Sequence, residues 1–415
     1  MSTRCGLLAS VIGLAFLGQP SLGQDGYVVL DRATDRGLFL VDPAGAITAI
    51  TPTVPWQHAH SLVRDALGNF IVTVDVYAAL GQNDGVYRAS PAGEISAVAV
   101  GEQFAEPSGV AIDALGNYVV LNRTPEGRPQ ILRINPAGQM ELLFEGRPLY
   151  VPIDIAIDHQ GAYVITDRAS AGRLFGAWTY LPENGAVYRF DPLTRQMTTV
   201  RSSVDENSNV KFDDLMGHLT GVVVDADGNY VVLEAPPHLD EQGHWEIPIG
   251  DTYLLRMRPD GEVFQTIHIP ALDDYYCIGL DIAIDSQGDY IVADALGISN
   301  DKGRLFRVTP TGQVTTLLLT PLLGEPGGVV VLAVPPPPPP QIVGMSLVSG
   351  ADPARIRFSW KSELGWRYRI QRASSLRGDA WQDMALPLSG TGAVIEFSDQ
   401  CVGREPRFYR IRLSK

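Results

Sequence analysis

Short hydrophobic runs on either side of a four-residue polar turn recur along the chain. In each copy an Asp begins the turn and a Gly follows three residues later, and the flanking runs are rich in β-branched and aromatic residues. The copies lie at 61–75, 109–122, 154–167, 221–234 and 281–294. The flanking residues favour strands, and Asp followed by Gly favours a tight turn. Each copy therefore predicts a β-hairpin.

A second pattern, x-Pro-x-Gly between two apolar runs, follows these hairpins. Proline presets φ at the second position of a turn, and glycine suits the fourth position. Full copies lie at 42–45, 90–93, 135–138, 258–261 and 309–312, with a degenerate copy at Asp191-Pro192. Successive prolines of these turns are 45 to 67 residues apart. Together the two patterns predict six units of four strands each.

Repeated four-stranded units of this length are typical of a β-propeller. The first unit has only one run of its first hairpin, Gly26–Asp31, and the missing run is found near the other end of the repeats, at Gly327–Ala333. Pairing of these two runs would close the ring and remove its free edges. The predicted fold is all-β, a six-bladed β-propeller closed by both ends of the ring.

The N-terminal segment has the pattern of a signal peptide. Arg4 precedes the apolar run Gly6–Gly18, and small residues at Ser21 and Gly23 predict cleavage after Gly23. The mature protein is then secreted, periplasmic or held at the cell surface. A net charge of −15 argues against nucleic acid as a partner. No later apolar run is long enough to cross a membrane.

The C-terminal segment is predicted to be a separate module. Six consecutive prolines, Pro335–Pro340, form a stiff spacer. Beyond them, four alternating segments predict a small β-sandwich, in which aromatic residues fill the core or, as an alternative, form a sugar-binding platform. The predicted organisation is a signal peptide at 1–23, a propeller at 24–334, a linker at 335–340 and a sandwich at 341–415.

Acidic residues predict a metal site at the mouth of the propeller channel. In five of six blades strand 2 ends at an acid, and two blades add an Asp at the start of strand 1. The acids that converge on blades 4 to 6 are Asp154, Asp167, Glu234, Asp281 and Asp294. Crowded carboxylates repel unless a cation or protons intervene. Oxygen ligands suit Ca²⁺ or Mg²⁺. A structural role at the strand ends is the alternative.

Long loops on the same face predict a ligand site beside these acids. The insertions at 169–185, 201–219 and 235–251 belong to blades 4 and 5, and long loops on a rigid scaffold often carry binding sites. The ligand-contacting candidates are His60, His218, His238, His244, Trp178, Trp245, Tyr275 and Tyr276. Histidine together with carboxylate ligands would suit Zn²⁺. No nucleotide or organic cofactor is predicted, since no phosphate-binding or dinucleotide motif is present.

Two resemblances accompany this pattern. The segment from Pro107 through Gly138 resembles the NHL repeat and, more loosely, is similar to SMP-30-like six-bladed propellers. That superfamily includes binding modules, lactonases and lyases, so the resemblance implies the fold more than an activity. The C-terminal pattern, with Trp360, Tyr368 and Phe408-Tyr409-Arg410, resembles fibronectin-III-like modules of exported bacterial proteins.

The sequence supports two functional hypotheses. The first is an exported binding or scaffold propeller, a monomer whose ligand is a small molecule, a glycan or a protein. The alternative is a metal-dependent hydrolase or lyase that uses the acidic channel mouth. No residue is assigned a catalytic role, because no nucleophile motif is present.

Overall fold

The structure is a computed structural model, and it describes most of the chain between residues 25 and 414. The described ranges are 25–32, 37–51, 59–75, 84–168, 170–174, 177–181, 185–203, 216–235, 238–239, 245–246, 252–270, 277–296, 302–332, 342–348, 355–362, 367–373, 381–384, 388–389, 391, 393–400 and 408–414. The chain divides into two compact units, one spanning Asp25–Ala333 and the other containing Val334–Lys415. No helix in the described ranges is long and apolar enough to cross a membrane.

The first unit contains six antiparallel sheets of four strands, here called sheets 1 to 6, with strands numbered along the chain. Sheet 1 consists of β1 (Gly26–Asp31), β2 (Leu38–Val41), β3 (Ile47–Ala49) and β28 (Pro326–Leu332). Sheet 2 consists of β4 (Ala59–Arg64), β5 (Phe70–Val74), β6 (Gly85–Ala89) and β7 (Ile95–Val100). Sheet 3 consists of β8 (Val110–Ile112), β9 (Tyr118–Arg123), β10 (Pro129–Ile134) and β11 (Met140–Glu145).

The other three sheets have the same strand order. Sheet 4 consists of β12 (Pro152–Ile157), β13 (Tyr163–Asp167), β16 (Ala186–Asp191) and β17 (Gln196–Ser202). Sheet 5 consists of β18 (His218–Val224), β19 (Tyr230–Ala235), β22 (Thr252–Met257) and β23 (Val263–Ile269). Sheet 6 consists of β24 (Cys277–Ile284), β25 (Tyr290–Leu296), β26 (Lys302–Val308) and β27 (Val314–Thr320).

Two of the predicted loop insertions contain small hairpins of their own. In sheet 4 the insertion forms β14 (Ser170–Leu174) and β15 (Ala177–Leu181), which pair with each other. In sheet 5 it forms the two-residue strands β20 (His238–Leu239) and β21 (Trp245–Glu246). Both insertions connect the second strand of the repeat to the third.

The first strands of the six sheets contact one another in a cycle. Strand β4 contacts β8, and the contacts continue through β12, β18, β24 and β28, which returns to β4. Strand β28 pairs antiparallel with β1, so residues from the two ends of the unit share sheet 1. Hydrophobic clusters fill the spaces between successive sheets, for example Val231 and Leu233 of β19 with Ile282 of β24. This all-β arrangement is consistent with a β-propeller.

The Asp-x-x-Gly turns have the predicted chemistry. In the first copy, Asp65 Oδ1 accepts the backbone N–H groups of Leu67 at 2.9 Å and Asn69 at 2.8 Å. Gly68 closes this turn with a φ of +89°, a conformation that costs an L-residue strain but glycine almost none. The other four copies repeat the carboxylate contacts, and these aspartates are therefore turn residues.

The Pro-x-Gly turns bring glycine against the neighbouring sheet. Gly45 and Gly93 end the same Pro-Ala-Gly sequence with φ values of +83° and +86°. A Cβ at Gly93 would overlap the carbonyl oxygen of Ile50, whereas nothing lies within 4 Å of a Cβ at Gly45. The two glycines thus share a backbone conformation and differ in their surroundings.

We expect Gly93→Ala to destabilise the protein more than Gly45→Ala does. Both variants carry the strain of a left-handed alanine, about 1–2 kcal/mol. Gly93→Ala adds the overlap with Ile50, which costs about 1–3 kcal/mol more. The free energy of unfolding, measured by urea denaturation, gives both values, and equal losses in the two variants would contradict this account.

The second unit has two sheets around an aromatic core. One contains β29 (Ile342–Val348), β30 (Arg355–Lys361) and β34 (Val394–Gln400), and the other contains β31 (Arg367–Ala373), β32 (Gln382–Asp383), β33 (Leu388–Ser389) and β35 (Phe408–Ser414). Trp360 is fully buried, with its ring 5.8 Å from that of Tyr368, and the rings of Phe358 and Tyr409 are 5.1 Å apart. These four aromatic residues pack in the core, as the first of the two alternatives predicted.

Candidate functional site

A cavity of about 450 Å³ lies where the second strands of the sheets end. Its wall contains residues of all six sheets or of the segments that connect them. The charged residues and histidines that line it are Arg32, His60, Asp75, Glu106, Arg123, Asp154, Arg168, His218 and Asp281. This set is larger than the predicted sector of blades 4 to 6, and it includes basic residues from sheets 1, 3 and 4.

Below this cavity, a second cavity of about 450 Å³ lies between the first strands of the sheets. Apolar side chains such as Val63, Ile157 and Ile284 line it. Ser61, Asp154 and Asp281 line both cavities. These three residues therefore mark the boundary between the charged mouth and an apolar channel, a position that exposes their side chains to little water.

The predicted acids at the ends of the second strands bind backbone N–H groups. Asp167 accepts the N–H of Tyr150 at 2.7 Å and that of Val151 at 2.9 Å. Glu234 accepts the N–H of Gly217 at 2.5 Å. In both sheets the carboxylate thus anchors the segment that enters the first strand. Asp167 and Glu234 therefore have a structural role at the strand ends, which was the alternative to metal binding.

Asp31 plays the same part in sheet 1, where its two carboxylate oxygens accept the N–H groups of Gly324 at 2.8 Å and Glu325 at 2.9 Å. These partners are 293 and 294 residues away from Asp31 in the chain. The hydrogen bonds of Asp31 therefore also hold the two ends of the unit together.

Asp294 instead forms a buried ion pair. The Arg304 Nε lies 2.7 Å from Asp294 Oδ2, and the two residues are 0% and 1% exposed. They face each other across β25 and β26. Asp294 is therefore committed to Arg304 inside sheet 6, and neither residue lines the cavity at the channel mouth.

Asp154 and Asp281 bridge neighbouring sheets. Asp154 Oδ2 accepts the N–H of Val222 in the next sheet at 2.8 Å, and Asp281 Oδ2 accepts that of Val329 at the same distance. Ser61 occupies the equivalent position in sheet 2 and accepts the N–H of Val110 at 3.3 Å. Sheets 2, 4 and 6 thus each carry a polar side chain that binds the following sheet.

Glycine occupies the equivalent position in the three intervening sheets, as Gly109, Gly221 and Gly328. A Cβ at Gly109 would lie 2.7 Å from the Cα of Asp154. The glycine therefore permits the close approach of the strand that carries the acid. The uneven distribution of carboxylates among the sheets predicted a metal site. The alternation of a bridging side chain with a glycine gives this distribution a physical reason in strand packing.

Burial perturbs both bridging carboxylates. Removal from water raises the pKa of Asp154 from 3.8 to about 7, against the opposing effect of the N–H donors of Val222 and Ile155. Burial raises the pKa of Asp281 well above its ordinary value, and repulsion from Asp154 raises it further. Burial also raises the pKa of Glu234. Asp154 therefore titrates near neutral pH.

The five predicted metal ligands do not form one ligand set. Asp167 and Glu234 hold backbone N–H groups, Asp294 pairs with Arg304, and Asp154 and Asp281 bridge sheets. Within the described ranges, no three His, Cys, Asp or Glu side chains gather closely enough to hold a metal ion. The donor set described here does not fit a bound Ca²⁺, Mg²⁺ or Zn²⁺.

Of the predicted ligand-contacting residues, two can be placed in the cavity. His60 and His218 line it, and His60 Nε2 lies 3.9 Å from Asp75 Oδ2. The backbones of Trp178, His238 and Trp245 lie in β15, β20 and β21, but their side chains fall outside the described part of the structure. His244, Tyr275 and Tyr276 lie outside the described residues altogether.

The arginines of the cavity were not among the residues predicted from the sequence. Arg32, Arg123 and Arg168 each directly follow the polar residue that ends a second strand, in the dipeptides Asp31-Arg32, Asn122-Arg123 and Asp167-Arg168. The other three repeats have Val76, Ala235 and Ala295 at this position. An alignment of the six repeats that includes the residue after the end of each second strand shows this pattern of three arginines.

Comparison with solved structures supports the fold. The chain is similar to a protein of unknown function from Bacteroides caccae, with a TM-score of 0.50 and 13% identity over 74% of this chain and 99% of that one. Virginiamycin B lyase from Staphylococcus aureus gives a TM-score of 0.41 with 15% identity, over 71% of this chain and 84% of the lyase. The PQQ-bound aldose sugar dehydrogenase from Streptomyces coelicolor gives 0.41 with 13% identity, over 85% of this chain and 94% of the enzyme.

No protein-family model matches the chain, and no curated protein matches it. The NHL, SMP-30-like and fibronectin-III-like resemblances therefore stay predictions. At such low identities, likeness in structure concerns the fold alone. The chemistry of this chain therefore has to be argued from its own residues.

Proposed function

We propose that the protein is an exported six-bladed β-propeller that binds a small ligand at the mouth of its central channel. The observation that carries this proposal is the cavity of about 450 Å³ lined by charged side chains and histidines. Ligand pockets are concave sites of about 300–1,000 Å³ with a few converging polar groups. The six four-stranded sheets in a cycle of contacts support six blades.

The backbone that supports this cavity is well anchored, which favours binding. Asp31 and Asp167 hold the segments that connect the sheets, and Asp154 and Asp281 hold neighbouring first strands. These contacts hold the wall of the cavity together. A site whose wall is already organised loses less conformational entropy when a ligand binds.

A cavity-filling variant tests the proposal. Leu280 lines the cavity on sheet 6, and Leu280→Trp should fill part of it without adding charge. Thermal-shift screening against small acids, amines, sugars and phosphates should find compounds that raise the melting temperature of the natural chain and have no such effect on Leu280→Trp. A ligand that binds only the folded state stabilises it by RT ln(1 + [L]/Kd), where [L] is the free ligand concentration.

The matched control is Leu319→Trp, which places the same side chain on β27 of the same sheet, where Leu319 is 48% exposed. This variant should bind as the natural chain does. Compounds that stabilise all three proteins equally bind elsewhere, and a screen that yields only such compounds contradicts the proposal.

A hydrolase or lyase acting in the same cavity is the second candidate. The observation that favours it is Asp154, whose pKa of about 7 suits an acid or base that exchanges protons near neutral pH. The compounds that bind should therefore also be followed for product by chromatography. Products that form with the natural chain and Leu319→Trp, but not with Leu280→Trp, would support this candidate over simple binding.

A further inference from the structure

The three arginines of the cavity have the same backbone setting. The N–H of Arg32 donates to the carbonyl oxygen of Glu325 at 2.8 Å, that of Arg123 to Glu106 at 3.3 Å and that of Arg168 to Val151 at 3.0 Å. In each case the arginine is tied to the segment that enters the first strand of its own sheet. The three side chains therefore start from fixed, equivalent points around the mouth.

Only one of these arginines has its charge neutralised within the described structure. Arg123 forms an ion pair with Glu106. Neither Arg32 nor Arg168 lies within ion-pair distance of a described carboxylate, although the Glu325 carboxylate acts on Arg32 from further away. The Arg32 Nε has no hydrogen-bond partner among the described residues. Both residues are half-buried. Partial burial of an unpaired guanidinium group is unfavourable, because the group loses water without gaining an acceptor.

The acids of the same cavity do not supply the missing acceptors. Glu106 is paired with Arg123, and Asp75 lies beside His60. Asp154 and Asp281 are bound to N–H groups of the neighbouring sheets, and burial raises the pKa of each. These acids of the mouth therefore have partners other than Arg32 and Arg168, although the whole chain has a net charge of −15.

We infer that the channel mouth binds small molecules with two oxyanionic groups, one at Arg32 and the other at Arg168. The planar guanidinium group matches the two oxygens of a carboxylate or phosphate. Sheets 1 and 4, which carry the two arginines, are three steps apart in the cycle of six, so the two groups are presented from opposite sides of the mouth. This inference rests on the proposed function and names the chemical class of its ligand.

Calorimetric titration with defined probes tests the inference. The natural chain, in Tris buffer at constant ionic strength, is titrated with succinate, adipate and suberate, and with the monocarboxylates butanoate, hexanoate and octanoate. At least one dicarboxylate should bind ten or more times more tightly than the monocarboxylate of its length, and its neutral diamide should not bind. Inorganic phosphate and pyrophosphate form a parallel arm, and tighter binding there would identify phosphate as the preferred oxyanion.

Substitutions then assign the binding to the two arginines. Arg32→Gln and Arg168→Gln should each weaken binding of the best anion at least tenfold and remove the advantage of the dicarboxylate. Arg64→Gln is the control, because Arg64 is exposed and does not line the mouth, and its affinity should equal that of the natural chain. Anion binding that neither substitution at the mouth weakens would overturn the inference.

The two proposals fail in different ways. Suppose that no dicarboxylate or phosphate binds, but that a neutral compound binds and Leu280→Trp abolishes its binding. The inference about oxyanions is then wrong, and the proposed binding function stands. If no compound of any class shows binding sensitive to Leu280→Trp, both are wrong.

Discussion

Arg304→Leu is expected to lower the free energy of unfolding by about 3–5 kcal/mol, because it leaves the Asp294 carboxylate buried without its cation. The two side chains are 0% and 1% exposed, and Arg304 Nε lies 2.7 Å from Asp294 Oδ2. The guanidinium carbon also lies 4.6 Å from the centre of the Phe306 ring. Neither water nor another cation can easily replace Arg304 inside sheet 6. Urea denaturation followed by circular dichroism measures the loss.

Two further variants separate this effect from a general loss of arginine. Arg304→Leu combined with Asp294→Leu removes both charges and should recover a large part of the stability, since an apolar pair of similar volume can replace a buried ion pair. Arg258→Leu breaks an exposed ion pair with Glu262 and should cost less than about 1 kcal/mol. If Arg304→Leu costs no more than Arg258→Leu, the ion pair does not have the role assigned to it.

Asp154→Asn should stabilise the protein more at pH 8 than at pH 5. Asp154 has a pKa of about 7 in the folded chain, against an ordinary value of 3.8. Between these values the folded state binds more protons than the unfolded state, so stability falls as pH rises. The full cost of ionisation above pH 7 is about 4 kcal/mol. Asparagine avoids this cost and keeps an oxygen that can accept the N–H of Val222.

The measurement is the free energy of unfolding of both proteins at several pH values from 5 to 8. The difference between them reports the titration of Asp154 together with its effect on Asp281. Glu102→Gln is the control, because it removes one negative charge from an exposed residue and should leave the pH dependence unchanged. If Asp154→Asn changes the free energy of unfolding equally at pH 5 and pH 8, burial does not raise the pKa of Asp154.

The turns and the repeat were predictable from the sequence because their causes are local. Asp65 and its partner amides at Leu67 and Asn69 lie within four residues, and β-branched runs favour strands wherever they pair. The pairing of β1 with β28 was predictable for a different reason. One run lacked its hairpin partner at each end of the repeats, and an unpaired edge strand is unfavourable.

The roles of the acids were only partly predictable. Asp154 and Asp281 were recognised as asymmetric positions, but their partners belong to other repeats, as with Val222, which is 68 residues from Asp154. Because the neighbouring strand supplies an N–H group and removes water, the same carboxylate that suggested a metal ligand becomes a bridge between sheets. Asp294, unlike Asp167, faces an arginine, Arg304, on the adjacent strand, and the spacing of the repeats does not reveal this contact.

The strands, the turns, the number of repeats and the pairing of their two ends follow from the sequence, since they depend on alternating apolar residues and on hydrogen bonds within a few residues. The electrostatics of the channel mouth depend instead on how the sheets pack. Arg32 and Arg168 line one cavity although they are far apart in the chain, and the charge on Asp154 depends on how closely Gly109 and Val222 allow neighbouring strands to approach. Burial and charge pairing are properties of the space between sheets, and that space exists only after the sheets have packed.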